Sequence, residues 1–265
     1  MEMKISFIGF GNLAKILAQS LATDDNYQIY ASSPSLSVGK TREGIITHYD
    51  NLEIIADAEI IILAVKPVNM SAVLTQINTK LPENCLIISV AAGLTLAWLA
   101  QHCPKEQAII RSMPNIAIAI GKGATPLFAN SSVTPPQKRC AEQIFKRCGI
   151  ITWATQETEM DVFTALSGSG PAYIFLFLEA MIDAAKHLGL NEEIAKIFAL
   201  QTMDGALNLA MNSSLELSTL RKKVTSPAGT TAAAIDILQQ QGFAQLIFKA
   251  MNAATERANQ LGLSM

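Results

Sequence analysis

Two stretches of this 265-residue chain combine small residues, turn formers and a following helix in a way that could do chemistry. The first is Gly9-Phe10-Gly11-Asn12-Leu13-Ala14, placed directly after the apolar run that begins at Ile5. Gly9 permits a tight turn, and Gly11 lets backbone approach a pyrophosphate. The small Ala14 lets the helix lie close on the strand, while the helix N-terminus offers unpaired N–H groups to phosphates. This is the chemistry of a dinucleotide site. The G-x-G-x-x-A pattern is weak alone; its strand–turn–helix setting gives it weight. A site for NAD usually has Asp or Glu near the end of the next strand, about 20 residues on, to accept from the ribose 2′-hydroxyl. Here the sequence reads Tyr30-Ala31-Ser32-Ser33-Pro34, without a carboxylate, and Lys40 and Arg42 follow. Hydroxyls and cations suit a 2′-phosphate, so NADPH is expected, with NADH as the alternative. The same residues also read as a plain Ser-Pro turn.

The second stretch is Ser226-Pro227-Ala228-Gly229-Thr230-Thr231, followed by the helix-forming Ala232-Ala233-Ala234-Ile235. Proline and glycine set a loop, and the amides of Gly229, Thr230 and Thr231 then face a helix mouth suited to a carboxylate. An ordinary threonine N-cap would look the same. Ser167-Gly168-Ser169-Gly170-Pro171 is similarly two-sided, a hinge or a close backbone approach to a ligand. No His–carboxylate pair and no Ser-His-Asp arrangement is apparent. The cysteines (Cys85, Cys103, Cys140, Cys148) form no C-x-x-C pair, and His48, His102 and His187 are scattered. No metal site is expected, and the thiols read as reduced and structural.

These segments need a frame to hold them. Short apolar runs at Ile5–Gly9, Gln28–Ala31, Ile60–Val65, Leu86–Val90, Ala108–Arg111, Ala124–Phe128 and Ile150–Trp153 alternate with helical stretches. Near-continuous apolar strands suit a sheet covered on both faces. The pattern predicts an α/β fold, with a Rossmann-like, doubly wound parallel sheet over residues 1–156. Beyond Gln156 strand-like runs stop, and Ile174, Leu178, Met181, Ile182, Ala185 and Leu188 recur at helical spacing. Residues 157–265 are expected to be all-helical, binding substrate and forming a dimer interface. Only 16 % of residues are charged, which also points to extensive subunit contact.

Net charge is −2 and the isoelectric point is near 5.9, so neither nucleic acid nor an anionic membrane is an expected partner. The most apolar stretch, Ile54–Val65, is interrupted by Asp57 and Glu59 and falls short of the roughly 20 residues that a spanning helix needs. Met1-Glu2-Met3-Lys4 leads straight into a strand without a basic region or cleavage site, so a cytoplasmic protein is expected.

Taken in order, the motifs resemble the pyrroline-5-carboxylate reductase family over almost the whole chain. The matching blocks are Ile8–Ala14, Ala31–Pro34, Ala64-Val65-Lys66-Pro67, Ala91-Ala92-Gly93, Arg111–Asn115, Ser167–Tyr173 and Val224–Thr231. The resemblance implies a Rossmann domain plus a helical domain that forms an interlocked dimer. It also implies reduction of the cyclic imine pyrroline-5-carboxylate to L-proline. Carried over by motif, the cofactor would touch Ile8, Gly9, Gly11, Asn12, Leu13, Ser33, Asn51, Ala64, Val65, Lys66, Pro67, Val90, Ala91 and Ala92. Substrate would be held by Gly229, Thr230 and Thr231, with the Thr231 hydroxyl facing the imine nitrogen as the catalytic group.

Three positions depart from the family pattern. Ala228 replaces a glycine, Ile116-Ala117-Ile118 replaces a Thr-Pro, and Ser213-Ser214 lies where some members carry an acid, with Glu216 nearby. If position 228 requires positive φ, alanine is costly there and the loop would shift. The rival enzyme reading is a related NADP-dependent reductase acting on another imine or on a β-hydroxyacid; against the latter, Lys186 and Lys196 lack the context of its catalytic lysine. A non-catalytic dinucleotide sensor would have no use for the Ser226–Thr231 loop.

Overall fold

A computed structural model describes residues 2–263. Packing divides them into two compact units, one running to Pro171 and including the stretch from Ala253 onward, the other Ala172–Asn252.

The first unit begins with β1 (Met3–Ile8), α1 (Asn12–Leu21), β2 (Tyr27–Ser32), a two-residue β3 (Gly39–Lys40), β4 (Ile46–His48) and α2 (Asn51–Ile55). It continues through β5 (Ile60–Leu63), α3 (Pro67–Ile77), β6 (Leu86–Ser89), α4 (Leu96–Gln101) and β7 (Ala108–Ser112). A 3₁₀ turn (Ile116–Ile120) leads to β8 (Gly123–Ala129), α5 (Pro135–Lys146), β9 (Gly149–Trp153) and α6 (Glu159–Phe163). The strands form one sheet in the order β3-β4-β2-β1-β5-β6-β7-β8-β9. All seven strands expected from the apolar runs are present. The short β3 and β4 were not anticipated, because neither carries a continuous apolar run.

From β4 to β7 neighbouring strands are parallel, with β1 in register with β5 from Ile5↔Ile60 to Ile8↔Leu63. Helices cover both faces. On one side Ala14, Leu17, Ala18 and Leu21 of α1 pack on Ile5, Phe7, Ile62 and Ile88. On the other, Met70, Leu74 and Ile77 of α3 pack on Ile8, Ile61, Leu63 and Ile87. Each fully buried aliphatic side chain contributes about 1.5–3 kcal/mol, so the two layers fix the register. The expected strand at 124–128 is present as β8 but runs antiparallel to β7. The linking segment holds only a 3₁₀ turn, and parallel return needs a crossover of a dozen or more residues.

A π-turn (Thr164–Gly168) follows α6 and leads into α7 (Gly170–His187), which enters the second unit. That unit is built of helices: α8 (Glu192–Met211), α9 (Leu217–Lys223), α10 (Thr230–Gln240) and the first half of α11 (Phe243–Leu263), up to Asn252. Leu178, Ala195 and Ala199 are its buried apolar residues, while Leu176, Phe198, Leu209 and Phe248 are each about two-thirds exposed. Such large apolar faces call for burial against another surface. The helical run Glu159–His187 is also long and apolar enough, by length and composition, to cross a membrane, which the reading centred on Ile54–Val65 missed. Residues 162–178 carry no charge, although Gly168, Gly170 and Pro171 interrupt their periodicity.

Burial pushes the Cys85 thiol up to about 11 and the Cys103 thiol up to about 12. Cys148 is buried with its sulfur 3.1 Å from the Ser20 hydroxyl, and only Cys140 is half-exposed. Ellman's reagent at about pH 8 should therefore label Cys140 alone in native protein, and the other three only in denaturant. Fast native labelling of Cys85 or Cys103 would contradict this packing.

Candidate active site

The sheet has a reversal point. From β1 the chain first builds outward through β2, then returns to the other side of β1 to build β5, β6 and β7. Loops leaving the carboxyl ends of β1 and β5 diverge there, opening the crevice in which doubly wound sheets bind ligands. A cleft of about 250 Å³ occupies this position, lined by Gly11, Asn12, Leu13, Ala14, Ala64, Val65, Lys66, Pro67, Val90, Ala91 and Ala92. Ten of the residues expected to touch a dinucleotide thus converge on one surface; Ala14 joins them, a motif residue first given only a packing role.

Local chemistry explains the shape. Gly9 turns with φ +90°, and a Cβ there would stand 2.7 Å from the carbonyl carbon and oxygen of Ala64. Gly11 forms the extended N-cap of α1 and contributes no capping side chain. The first intrahelical bond is Lys15 N–H to Gly11 O, at 2.9 Å, which leaves the first-turn amides pointing out of the helix mouth. A mouth with no acidic residue in its first turn and no side-chain cap fits an anionic diphosphate. Lys66 stands at the N-cap of α3, on the opposite rim.

Ile8 and Gly9 do not line the cleft; Ile8 is buried, and Gly9 donates its N–H to Ser32 O at 2.9 Å. Ser33 and Asn51 sit apart, beyond the end of β2. The Ser33 amide donates to His48 O at 3.3 Å, and its hydroxyl lies 3.3 Å from that of Ser35. Asn51 accepts from the buried Ser32 hydroxyl at 2.7 Å and donates to Gln76 Oε1 at 2.7 Å, so its amide is engaged at both ends.

A second, apolar cavity of about 570 Å³ adjoins the first and shares Asn12 and Leu13 with it. Its other wall is Ile116, Ile118 and Ala119 of the 3₁₀ turn, the segment that departs from the family pattern. Asn115 caps that turn by accepting from Ala117 N–H at 3.2 Å, and it donates to Ser167 O at 2.9 Å. Sequence reasoning did not single out Arg111 as functional. The available signal was a lone charge closing the apolar run of β7. Its side chain is 3 % exposed and reaches Glu157 at 3.2 Å and Asp161 at 2.7 Å.

Gly229, Thr230 and Thr231 belong to the second unit. Gly229 is the extended N-cap of α10, which has no side-chain cap, and its N–H bonds to Ser226 O at 3.1 Å. Ala228 adopts φ +55°. The left-handed turn is thus kept with alanine in it, in place of the shifted loop that its substitution suggested. Glu216 stands at the N-cap of α9, where its side chain makes no capping bond.

Comparison with known proteins bears on the whole chain. Residues 157–261 match the model of pyrroline-5-carboxylate reductase dimerisation, and residues 4–93 match that of coenzyme F420-dependent NADP oxidoreductases. The pyrroline-5-carboxylate reductase of Pseudomonas aeruginosa is 40 % identical over 263 residues, spanning 97 % of this chain and 96 % of that protein. The chain belongs to the pyrroline-5-carboxylate reductase family. The Escherichia coli member is 34 % identical over the full length of both chains. Among solved structures, the Coxiella burnetii reductase superposes with a TM-score of 0.90 at 37 % identity, covering 98 % of this chain and 99 % of that one. The Plasmodium falciparum reductase with NADP bound gives 0.89 at 32 % identity, covering 98 % of each.

Two backbone substitutions test this geometry in opposite directions. Gly9→Ala forces a Cβ into the Ala64 carbonyl at a left-handed φ and should cost about 2–4 kcal/mol while abolishing dinucleotide binding. Ala228→Gly should stabilise the protein by about 0.5–1 kcal/mol: relieved left-handed strain of about 1–2 kcal/mol, less the added freedom of the unfolded chain. Urea titration reads both; a destabilised Ala228→Gly would mean that the loop is unstrained.

Proposed function

We propose that this protein reduces pyrroline-5-carboxylate to L-proline with NADPH, NADH being the poorer donor. The reading rests on full-length identity to curated reductases of that substrate, which extends through both the dinucleotide turn and the Ser226–Thr231 loop. Residues 1–156 would hold the dinucleotide, and residues 157–265 would hold substrate and form the dimer. The uncharged run 162–178 is assigned to self-association and not to a membrane, and the enzyme is taken to be cytoplasmic, with no nucleic-acid partner.

Bound reduced nicotinamide supplies a hydride. In this reading the α1 amides and the Ala64–Pro67 and Val90–Ala92 rims fix where the dinucleotide lies. The Gly229, Thr230 and Thr231 amides hold the substrate carboxylate, and the Thr231 hydroxyl orients the ring nitrogen. The net change is hydride to the imine carbon and a proton to nitrogen, the proton coming from solvent because an unperturbed hydroxyl is a poor acid. A protonated imine is already electrophilic, so orientation and exclusion of water carry the rate.

Oxidation of NADPH should depend on pyrroline-5-carboxylate and not on β-hydroxyacids, with a higher kcat/KM for NADPH than for NADH. Ser33→Asp should weaken NADPH by about 1–3 kcal/mol by setting a like charge beside the 2′-phosphate. Equal specificity constants in the unmodified enzyme would remove the basis for the NADPH assignment.

Thr231→Ala should lower kcat/KM for the imine roughly tenfold to a hundredfold, the loss of one oriented hydrogen bond to a charged nitrogen, while NADPH affinity holds. Thr231→Ser should keep most activity. An alanine variant that melts earlier yet turns over fully would reduce Thr231 to a helix-start residue.

A further inference from the structure

A buried Arg111 and the part-exposed Glu157 and Asp161 form a charge cluster whose presence stability alone does not explain. Charges withdrawn from water regain little net energy by pairing, and apolar residues of similar volume often hold the same elements as firmly. The neighbouring positions of β7, Ala108, Ile109 and Ile110, are buried and apolar, so packing would accept another apolar side chain at 111. The cluster supplies direction instead. The planar guanidinium fixes two carboxylates at once, and Glu157 Oε1 also accepts the Leu96 N–H at 2.6 Å. β7, the start of α4 and the entry to α6 are thereby tied at one point.

We propose that Arg111 is a positioning residue for hydride transfer, holding α6 so that the π-turn behind it sets Asn115 and the 3₁₀ wall of the cavity beside the dinucleotide turn. The contacts run without a gap inside the first unit. α6 passes into the π-turn, closed by Ser169 N–H to Thr164 O at 2.8 Å. Ser167 O accepts from the Asn115 side chain, and a Cβ on Gly168 would stand 2.9 Å from Met113 Cε, so the turn rests directly on Met113–Asn115. Asn115 caps the 3₁₀ turn, whose Ile116 and Ile118 face Asn12 and Leu13 across the cavity. On the other side, Ser112 donates to Ser89 O at 2.9 Å, next to the Val90–Ala92 rim. Displacement of α6 therefore reaches the 3₁₀ wall through the π-turn and Asn115, while β7, which carries Arg111, is fixed separately to the strand before the Val90–Ala92 rim. This inference rests on the reductase reading above.

The test is the combined variant Arg111→Met, Glu157→Gln, Asp161→Leu, which replaces the three charges by neutral side chains of similar size and keeps an acceptor for Leu96. It should melt within about 5 °C of the parent. It should bind NADPH within about twofold, yet lose about tenfold or more in kcat with pyrroline-5-carboxylate. The deuterium isotope effect with 4-deuterated NADPH should rise as hydride transfer becomes slower. Unchanged kcat and isotope effect at equal stability overturn the proposal, and so does loss of NADPH binding in step with activity, which marks general disruption. Should the combined variant fail to fold, Asp161→Asn keeps an acceptor and removes one charge. Its kcat should fall about threefold to tenfold with a larger isotope effect and unchanged KM for NADPH, and parental values overturn the proposal. A parent enzyme that binds NADPH but leaves pyrroline-5-carboxylate untouched would instead refute the reductase reading itself.

Discussion

The first unit depends on how closely the β1–α1 turn runs past the end of β5. Ala64 donates its N–H to Ile8 O at 2.8 Å, and Gly9 donates to Ser32 O at 2.9 Å, so the turn is stitched to both neighbouring strands as it leaves the sheet. With both flanks used, the chain can only rise directly into α1, and the first-turn amides emerge at the reversal point of the sheet. Bulk at Gly9 would part β1 from β5 and remove the cleft together with the register that makes it. Fold and binding surface are here one constraint, which is why a six-residue motif carries so much of the architecture.

The second unit obeys a different logic. Its helices bury few of their own large apolar side chains, so a solitary copy would leave Phe198, Leu209 and Phe248 largely in water. A segment of this kind gains its stability from association, and it matches the dimerisation model of the family over residues 157–261.

How much of this could be read beforehand followed from the range of the interactions. Strands with continuous apolar runs and the glycine turn are local patterns, and all were legible. β3 and β4 lack such runs; β4 exists because β2 offers an edge to pair with, and β3 because β4 then offers the next. The antiparallel course of β8 depends on what the connection lacks, and periodicity does not report that. The Arg111 cluster joins residues 46 and 50 positions apart, so nothing near Arg111 announces its partners. The helical spacing from Ile174 onward is legible, whereas the full length of the apolar run Glu159–His187 emerges only when α6, the π-turn and α7 are joined across Gly168, Gly170 and Pro171.

The departures from the family pattern become intelligible when set against the chemistry. A reaction that asks a protein for orientation and little acid–base work can tolerate changes that leave backbone donors in place. Alanine at 228 keeps the left-handed turn, so the amides at the mouth of α10 stay where a glycine would have put them, at an energetic cost borne by the fold. Isoleucines at 116 and 118 alter the wall of a cavity, but the turn carrying them is still capped by Asn115. The amides are main-chain geometry, and the cap of the 3₁₀ turn is the Asn115 side chain, which these substitutions leave in place. The groups that cannot vary in this way are those that steer the main chain from a distance, and a buried guanidinium between two carboxylates is such a group.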